Sequence, residues 1–368
     1  MMTRSPQERV AYELRDLYGR YGYTQYKMSK FEGYHLYARN KDFLISDQVI
    51  TFTDLSGKLM ALKPDVTLSI VKNSKDTASV QKLYYNENVY RVTKGAQGFR
   101  EIQQMGLECL GPIDSYCISE VLLLAAKSLS TISGDAVLDV SHLGLIRQLL
   151  DSMAFSHDHR SALLKAIGEK NPHELTAACQ AAQLSESDTQ LLRDLISLSG
   201  SPEQVLPRLE KLVSGKVSPD TLAQFREVIS SLSCSSIAPL VRIDFSVVDD
   251  IHYYNGYVFK GFVNGIPGSV LSGGQYDKLM KKMGRSDRAI GFAVYLDMLE
   301  HLEDTQAGYD VDIVLLYHET TPLTQIRKAA KALAAGGKRV LVQRCVPEDI
   351  RYQTIVNIQE VTDLEADA

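Results

Sequence analysis

The chain is predicted to adopt an α+β fold, because strand-like and helix-like hydrophobic periods occupy separate blocks of its 368 residues. Strand-like runs dominate two stretches, about 34–110 and 240–295, and a helical period fills the interval between them. A short strand–helix–strand pattern follows at 311–358. These blocks divide the chain into a core at 1–141 and 236–305, a helical insertion at 142–235 and a short α/β segment at 306–368.

Ser5-Pro6-Gln7-Glu8 supplies an N-cap, a proline in the first helical turn and a nearby acid, so a helix is expected from Ser5 to Gly22. Val10, Leu14, Leu17 and Tyr21 mark its apolar face. From Tyr34 to Leu62 the pattern is strand-like, with Asp54-Leu55-Ser56-Gly57 as a turn between two runs. A helix is expected after Pro64, through Val66 and Val71. Lys82–Arg91 and Gln103–Leu110 read as two strands joined by a polar loop, and Ser119–Ile132 as an apolar helix.

From His142 onward, Leu, Ala, Gln, Glu and Lys recur at helical spacing in 143–153, 159–168, 174–183 and 187–198. Strands return at 240–248 and 253–263, Gly273-Gly274 reads as a turn into a helix at 276–283, and 289–302 as a strand running into a helix. Val311–Tyr317, Leu323–Ala335 and Lys338–Gln343 form the closing unit, with Gly336-Gly337 as the helix stop and a third strand at 354–358.

Composition narrows the function classes. A formal charge of −5 argues against a nucleic-acid binder, which needs a basic surface. Five scattered cysteines without a C-x-x-C pair fit free thiols better than disulfides or a zinc site. The first residues lack the apolar core of a secretory signal, and no run of about 18 apolar residues is expected to span a membrane. A cytoplasmic protein is expected. Phosphate-binding, hydrolase, zinc-protease and dinucleotide motifs are all missing from the sequence. The Asp249-Asp250 pair lacks a third carboxylate at metal spacing and reads as a solvated turn; His35, His252 and His318 read as surface or core residues. No cofactor or metal is expected.

Four segments, in order, resemble one family. Residues 51–67, ending in Lys63-Pro64-Asp65-Val66-Thr67, resemble the strand–turn–strand of histidyl-tRNA synthetases that ends in Arg-Pro-Glu-Gly-Thr. Residues 82–111, with Arg91 closing one strand and Gln103 to Gly111 returning, resemble motif 2 of class II synthetases. Tyr253-Tyr254-Asn255-Gly256 resembles the family's Arg-Gly-Leu-Asp-Tyr-Tyr-x-Gly signature. Gly273-Gly274-Gln275-Tyr276-Asp277, followed by Gly291-Phe292-Ala293, resembles motif 3 and its approach. The resemblance spans about residues 5–302 and implies a class II synthetase-like antiparallel sheet with flanking helices.

It also implies an amino-acid site. Asp65 and Thr67 would accept the ligand ammonium, while Arg91 and Gln104 would hold its carboxylate. Glu108, Tyr254 and one of Tyr253 or Tyr276 would face an imidazole. Each role has an ordinary structural counterpart: Asp65 as a helix cap, Glu108 as a solvent-facing strand residue, the tyrosines as sheet residues.

The departures carry the functional expectation. Where the family's signature begins with a catalytic arginine this sequence has Asp249, and the signature's aspartate is His252. The arginine that grips ATP in motif 3 is matched by Met298, and the loop after Arg91 lacks the family's His-Glu-Arg. An aspartate beside a triphosphate repels it, and preorganised cations are what activation chemistry needs. Adenylate formation is therefore not expected. The stretch after motif 3 begins like the family's anticodon-binding domain and is expected to be too short for it.

This combination resembles the regulatory subunits of short-form ATP phosphoribosyltransferase, whose Arg-Pro-Asp-x-Thr variant is closer to Lys63-Pro64-Asp65-Val66-Thr67. That resemblance implies homodimerisation, assembly with a separate catalytic subunit into a hetero-octamer, free histidine as effector, and no tRNA. Two alternatives share the motifs: a synthetase active despite a short tail, and a synthetase-like module that binds or modifies another macromolecule.

Overall fold

The computed structural model describes residues 5–44, 48–92, 98–233, 235–248, 253–301 and 309–360. Asp249, Asp250, His252, Cys234 and the loop at 93–97 lie outside the described residues. Residues 10–301 form one compact unit, insertion included, and residues 309–360 belong to a second.

The frame of the first unit is a long antiparallel hairpin, Gln81–Val92 against Phe99–Gly111, in which Arg91 pairs with Arg100 and Leu83 with Glu108. Both strands are longer than their apolar runs suggested, because pairing continues through polar residues on the exposed face. Next to Phe99–Gly111 lie Arg288–Tyr295, Ser269–Gln275, Tyr257–Val263 and Ala136–His142, each antiparallel to its neighbour. Short or parallel partners close the edges: Thr24–Gln25 beside the hairpin, and Val241–Asp244 then Ser199–Gly200 beyond Ala136–His142. The result is a nine-stranded, mainly antiparallel sheet with flanking helices, the predicted α+β class.

Ser115–Ile132 lies against this sheet, started by Asp114, whose Oδ1 accepts from the Cys117 amide at 2.9 Å. Among the described residues it is the one helix long and apolar enough to cross a membrane by length and composition, a run the sequence reading had not counted. Val121, Leu122, Leu124, Ala125 and Leu129 are wholly buried, so the apolar run makes the core. The first helix, Pro6–Arg20, buries Val10, Leu14 and Tyr18 rather than Tyr21. The Tyr18 hydroxyl reaches Ser128 Oγ at 2.9 Å, which satisfies both buried groups.

Three local expectations are corrected. Tyr34–Arg39 is a helix, although its Tyr and Leu content read as strand; its buried Leu36 and Tyr37 are one turn's packing against the core. Gly273-Gly274 lies inside the strand Ser269–Gln275, not in a turn. A Cβ on Gly274 would meet Tyr254 Cδ1 at 2.6 Å, so the glycine is there for close packing. Tyr253 and Tyr254 precede the strand, which begins at Tyr257.

The insertion is helical as expected, with Leu143–Asp151, Arg160–Gly168, Pro172–Ala181, Glu186–Ser197, Pro202–Leu212 and Pro219–Ser233. It is tied into the core: Ser199–Gly200 joins the main sheet, and Pro219–Ser233 packs on Ser115–Ile132 through the Ser119–Ser231 hydroxyl contact at 2.6 Å.

A small sheet, Phe31–Gly33, Leu59–Leu62 and Thr51–Thr53, stands beside the hairpin. The Tyr90 amide donates to Lys63 O at 2.9 Å, joining the end of Leu59–Leu62 to the hairpin. In the second unit Val311–Leu316 runs parallel between Val340–Gln343 and Tyr352–Asn357. Leu323–Ala335 covers one face, with Ile326 and Ala329 clustered with Leu315 and Ile358.

Candidate functional site

One face of the main sheet carries a cavity of about 430 Å³, and all eight predicted site residues line it: Asp65, Thr67, Arg91, Gln104, Glu108, Tyr253, Tyr254 and Tyr276. The β period explains half of this. Gln104, Gly106 and Glu108 alternate along Phe99–Gly111 and so share a face. Glu108 stands opposite Gly291, Gly106 opposite Ala293 and Gln104 opposite Tyr295. Gly291 in turn faces Gly274, and Ala293 faces Ser272.

Ser272, Gly291 and Ala293 line this part of the floor, and the glycines let neighbouring strands and side chains approach closely. A Cβ on Gly291 would overlap Glu108 Oε2 and sit 2.5 Å from the Leu107 carbonyl oxygen. On Gly106 it would overlap the Phe292 carbonyl oxygen and lie 2.6 Å from the Tyr85 hydroxyl.

Glu108 is buried at the centre. Its Oε1 accepts from the Thr67 hydroxyl at 2.7 Å and its Oε2 from the Tyr276 hydroxyl at 2.6 Å. Burial pushes its pKa up to about 8, against the pull of those two donors, and the charge of Asp65 adds to the rise. This burial excludes the alternative of Glu108 as a solvent-facing strand residue. Thr67 opens the helix Thr67–Asn73. Asp65 has two roles: it lines the cavity, and its Oδ1 accepts from the Leu68 amide at 2.8 Å as the helix starts. Burial also raises its pKa, while the Leu68 amide and Arg91 oppose the rise.

Arg91 comes from the other strand of the hairpin and is buried, with its guanidinium 6.0 Å from the centre of the Tyr295 ring. Asp65 and Asp297 both feel its charge, yet among the described residues Arg91 forms no ion pair. A buried guanidinium beside a cavity is suited to a carboxylate. Tyr253 packs against Tyr254, Tyr276 and Phe43 at ring distances of 4.7, 5.8 and 5.8 Å, forming an aromatic wall. Burial holds the phenols of Tyr85, Tyr253 and Tyr276 well above their ordinary pKa, so they remain neutral hydroxyls near neutral pH.

The arrangement offers a carboxyl with phenols at one end and a cation and an amide near the hairpin. Among the described residues there is no group of three side chains able to hold a metal ion. Met298, matched by sequence to the family's motif 3 arginine, lies half-buried in the short helical turn Leu296–His301. Asp249 and His252, the other departures, are outside the described residues.

Sequence reasoning missed several lining residues, among them Asp42, Tyr85, Lys260, Ser272 and Tyr295. One carried a signal: counting back by twos from Arg91 reaches Tyr85, whereas Tyr295 is brought in by its pairing with Gln104, which no local pattern shows.

Residues 3–299 match the family model of histidyl-tRNA synthetase. The chain therefore belongs to the histidyl-tRNA synthetase family, with that family's class II fold. Relatives that it resembles within this family include ATP phosphoribosyltransferase regulatory subunits. The one from Clostridium kluyveri is 25% identical over 335 residues, covering 88% of this chain and 85% of the relative. The one from Bacillus cereus is 24% identical over 369 residues, covering 98% and 87%.

Among solved structures, an ATP phosphoribosyltransferase regulatory subunit/histidyl-tRNA synthetase from Bacillus halodurans C superposes with a TM-score of 0.78 at 24% identity, covering 96% of this chain and 93% of that one. Histidyl-tRNA synthetase from Nostoc gives 0.75 at 16% identity, over 93% and 83%. A chain of the ATP phosphoribosyl transferase complex from Thermotoga maritima gives 0.62 at 19% identity, over 80% and 98%. These likenesses establish the fold.

Proposed function

We propose that this chain is the regulatory, non-catalytic subunit of a short-form ATP phosphoribosyltransferase, activating a separate catalytic subunit and mediating feedback inhibition by histidine. The observation that carries the reading is the cavity: eight positions spread from Asp65 to Tyr276 converge on one space with acceptors, a buried guanidinium and phenols. Free histidine presents an ammonium, a carboxylate and an imidazole. Asp65 and Thr67 suit the first, Arg91 and Gln104 the second, and Glu108 with Tyr253, Tyr254 and Tyr276 the third.

Activation of that amino acid would need cations against a triphosphate. Met298 at the position of the family's motif 3 arginine supports a binding site without adenylate chemistry. The names of the relatives support the partner: the reading includes a homodimer of this chain, joined to the catalytic subunit in a hetero-octamer in the cytoplasm, and no tRNA. Histidine acts by favouring a low-activity state of the assembly, which requires that it bind that state more tightly.

Mixing the purified chain with a short catalytic subunit and measuring ATP phosphoribosyltransferase rate tests this. The expected result is stimulation by the chain and suppression by histidine, with suppression lost in Glu108→Ala. No stimulation, or histidine-dependent pyrophosphate exchange by the chain alone, overturns the reading.

A further inference from the structure

We propose that Asp277, which does not line the cavity, is a positioning residue for its ligand: it ties the turn carrying Tyr253 and Tyr254 to the strands on either side of Tyr276, and so sets where the Tyr276 hydroxyl meets Glu108. This deepens the histidine reading above and rests on it.

Four donors converge on the Asp277 carboxylate. Its Oδ2 accepts from Gln275 Nε2 at 2.7 Å, Asn255 Nδ2 at 3.1 Å and Arg288 Nε at 3.4 Å, and its Oδ1 accepts from the Ala289 amide at 3.1 Å. Two carboxylate oxygens offer about four lone-pair sites, so these bonds fill the group. Asp277 opens the short helix Asp277–Lys282, yet none of the four donors belongs to that helix. The side chain therefore serves its surroundings and does not cap its own element. Its donors come from three segments: the turn before Tyr257–Val263, the end of Ser269–Gln275 and the start of Arg288–Tyr295.

Each segment carries part of the cavity wall one or two residues away. Asn255 follows Tyr253 and Tyr254, and among the described residues its Oδ1 has no partner, so Asp277 holds that side chain. The Asn255 backbone amide donates to Gln275 O at 2.9 Å, and a Cβ on Gly256 would overlap Gln275 Oε1. The turn thus lies tight against the strand end.

Ala289 is gripped twice. Its amide donates to Asp277, and its carbonyl oxygen accepts from the Tyr276 amide at 2.9 Å. Two residues on is Gly291, which stands opposite Glu108. The Tyr276 backbone is therefore fixed to the strand that packs on Glu108, while the Tyr276 hydroxyl donates to Glu108 Oε2 at 2.6 Å. Hydrogen bonds weaken steeply with misalignment, so a slip of this backbone would reach the ligand through Glu108.

Asp277→Asn keeps the size of the side chain but turns one acceptor into an NH2, so a donor among the four must face another donor. Calorimetric titration of the full chain with histidine, in the parent, Asp277→Asn, Tyr276→Phe and the double variant, tests the role. Asp277→Asn should lose about tenfold in affinity in the parent and about threefold or less when the Tyr276 hydroxyl is already gone. A purely structural role would give equal losses in both backgrounds. Asn255→Ala removes one donor and leaves the other three; it should lose about threefold and carries the test if Asp277→Asn does not fold. Parent-like affinity in Asp277→Asn or Asn255→Ala, or an equal loss with and without the hydroxyl, overturns the positioning role and leaves the histidine reading standing. Failure of the parent chain to bind histidine overturns both.

Discussion

The Tyr276 hydroxyl donates to Glu108 Oε2 at 2.6 Å across a sequence separation of 168 residues. Tyr276 directly follows the strand Ser269–Gln275 and Glu108 lies in Phe99–Gly111, so this bond couples two segments the sequence shows only as separate patterns. Thr67 closes the third side at 2.7 Å.

Removing a donor leaves a buried acceptor short of a partner. Tyr276→Phe is expected to destabilise the chain by about 1–3 kcal/mol and to weaken histidine binding about tenfold. Thr67→Val should act similarly. Because both donors serve one carboxyl, the double variant should not be the sum of the singles. Urea unfolding and calorimetry measure the two effects; additive losses would mean that Glu108 does not link the two donors.

Gly291→Ala places a methyl group where Glu108 Oε2 and the Leu107 carbonyl oxygen already sit. Neither strand can yield without breaking the Glu108–Gly291 pairing. A loss of about 3 kcal/mol or more in stability is expected. Gly284→Ala, at an open position with φ near 76°, is a control in which the cost comes from the backbone alone. If Gly291→Ala is no worse than that control, the floor is looser than the geometry implies.

Burial of Glu108 gives stability a definite pH slope. Between its ordinary value of 4.5 and about 8 the folded chain holds a proton that the unfolded chain has released. Stability contributed by this group is therefore complete below 4.5 and is lost as pH rises towards 8, by at most about 1.4 kcal/mol per unit. His142 acts in the opposite sense, because burial lowers its pKa from 6.5 to about 4 and stability is lost as pH falls through that range. Unfolding at pH 6.5 and 8 should show a decline that Glu108→Gln abolishes; an unchanged decline would remove Glu108 as its source.

Lys63 is 1% exposed and ion-paired with Glu87, which fastens the segment leading to Asp65 onto the hairpin. Breaking a buried pair from one side strands a charge. Glu87→Ala should cost about 3–5 kcal/mol, more than Lys63→Met, and the double variant Lys63→Met/Glu87→Leu should recover much of the loss. Equal losses for all three would show that the pair contributes packing alone.

Local chemistry determined a good deal from sequence. Hydrophobic period marked the long hairpin, the helical insertion and the closing strand–helix–strand unit, because periods of about 2 and 3.6 are written into consecutive residues. The resemblance to the synthetase motifs named the eight residues that line the cavity, and those within one element, Gln104 with Glu108 or Asp65 with Thr67, lie a few positions apart.

Local chemistry failed where long-range packing overrides propensity. Tyr34–Arg39 is a helix because its Leu36 and Tyr37 are buried against the core, and Gly273-Gly274 is strand because Tyr254 and Phe292 press against it. Strand order, the glycine floor and the burial that lifts Glu108 depend on partners distant in the sequence, Glu108 with Tyr276 and Gly291, and Gln104 with Tyr295. No window of sequence contains those partners, so their spacing, and the proton affinity that follows from it, was decided only when the sheet assembled.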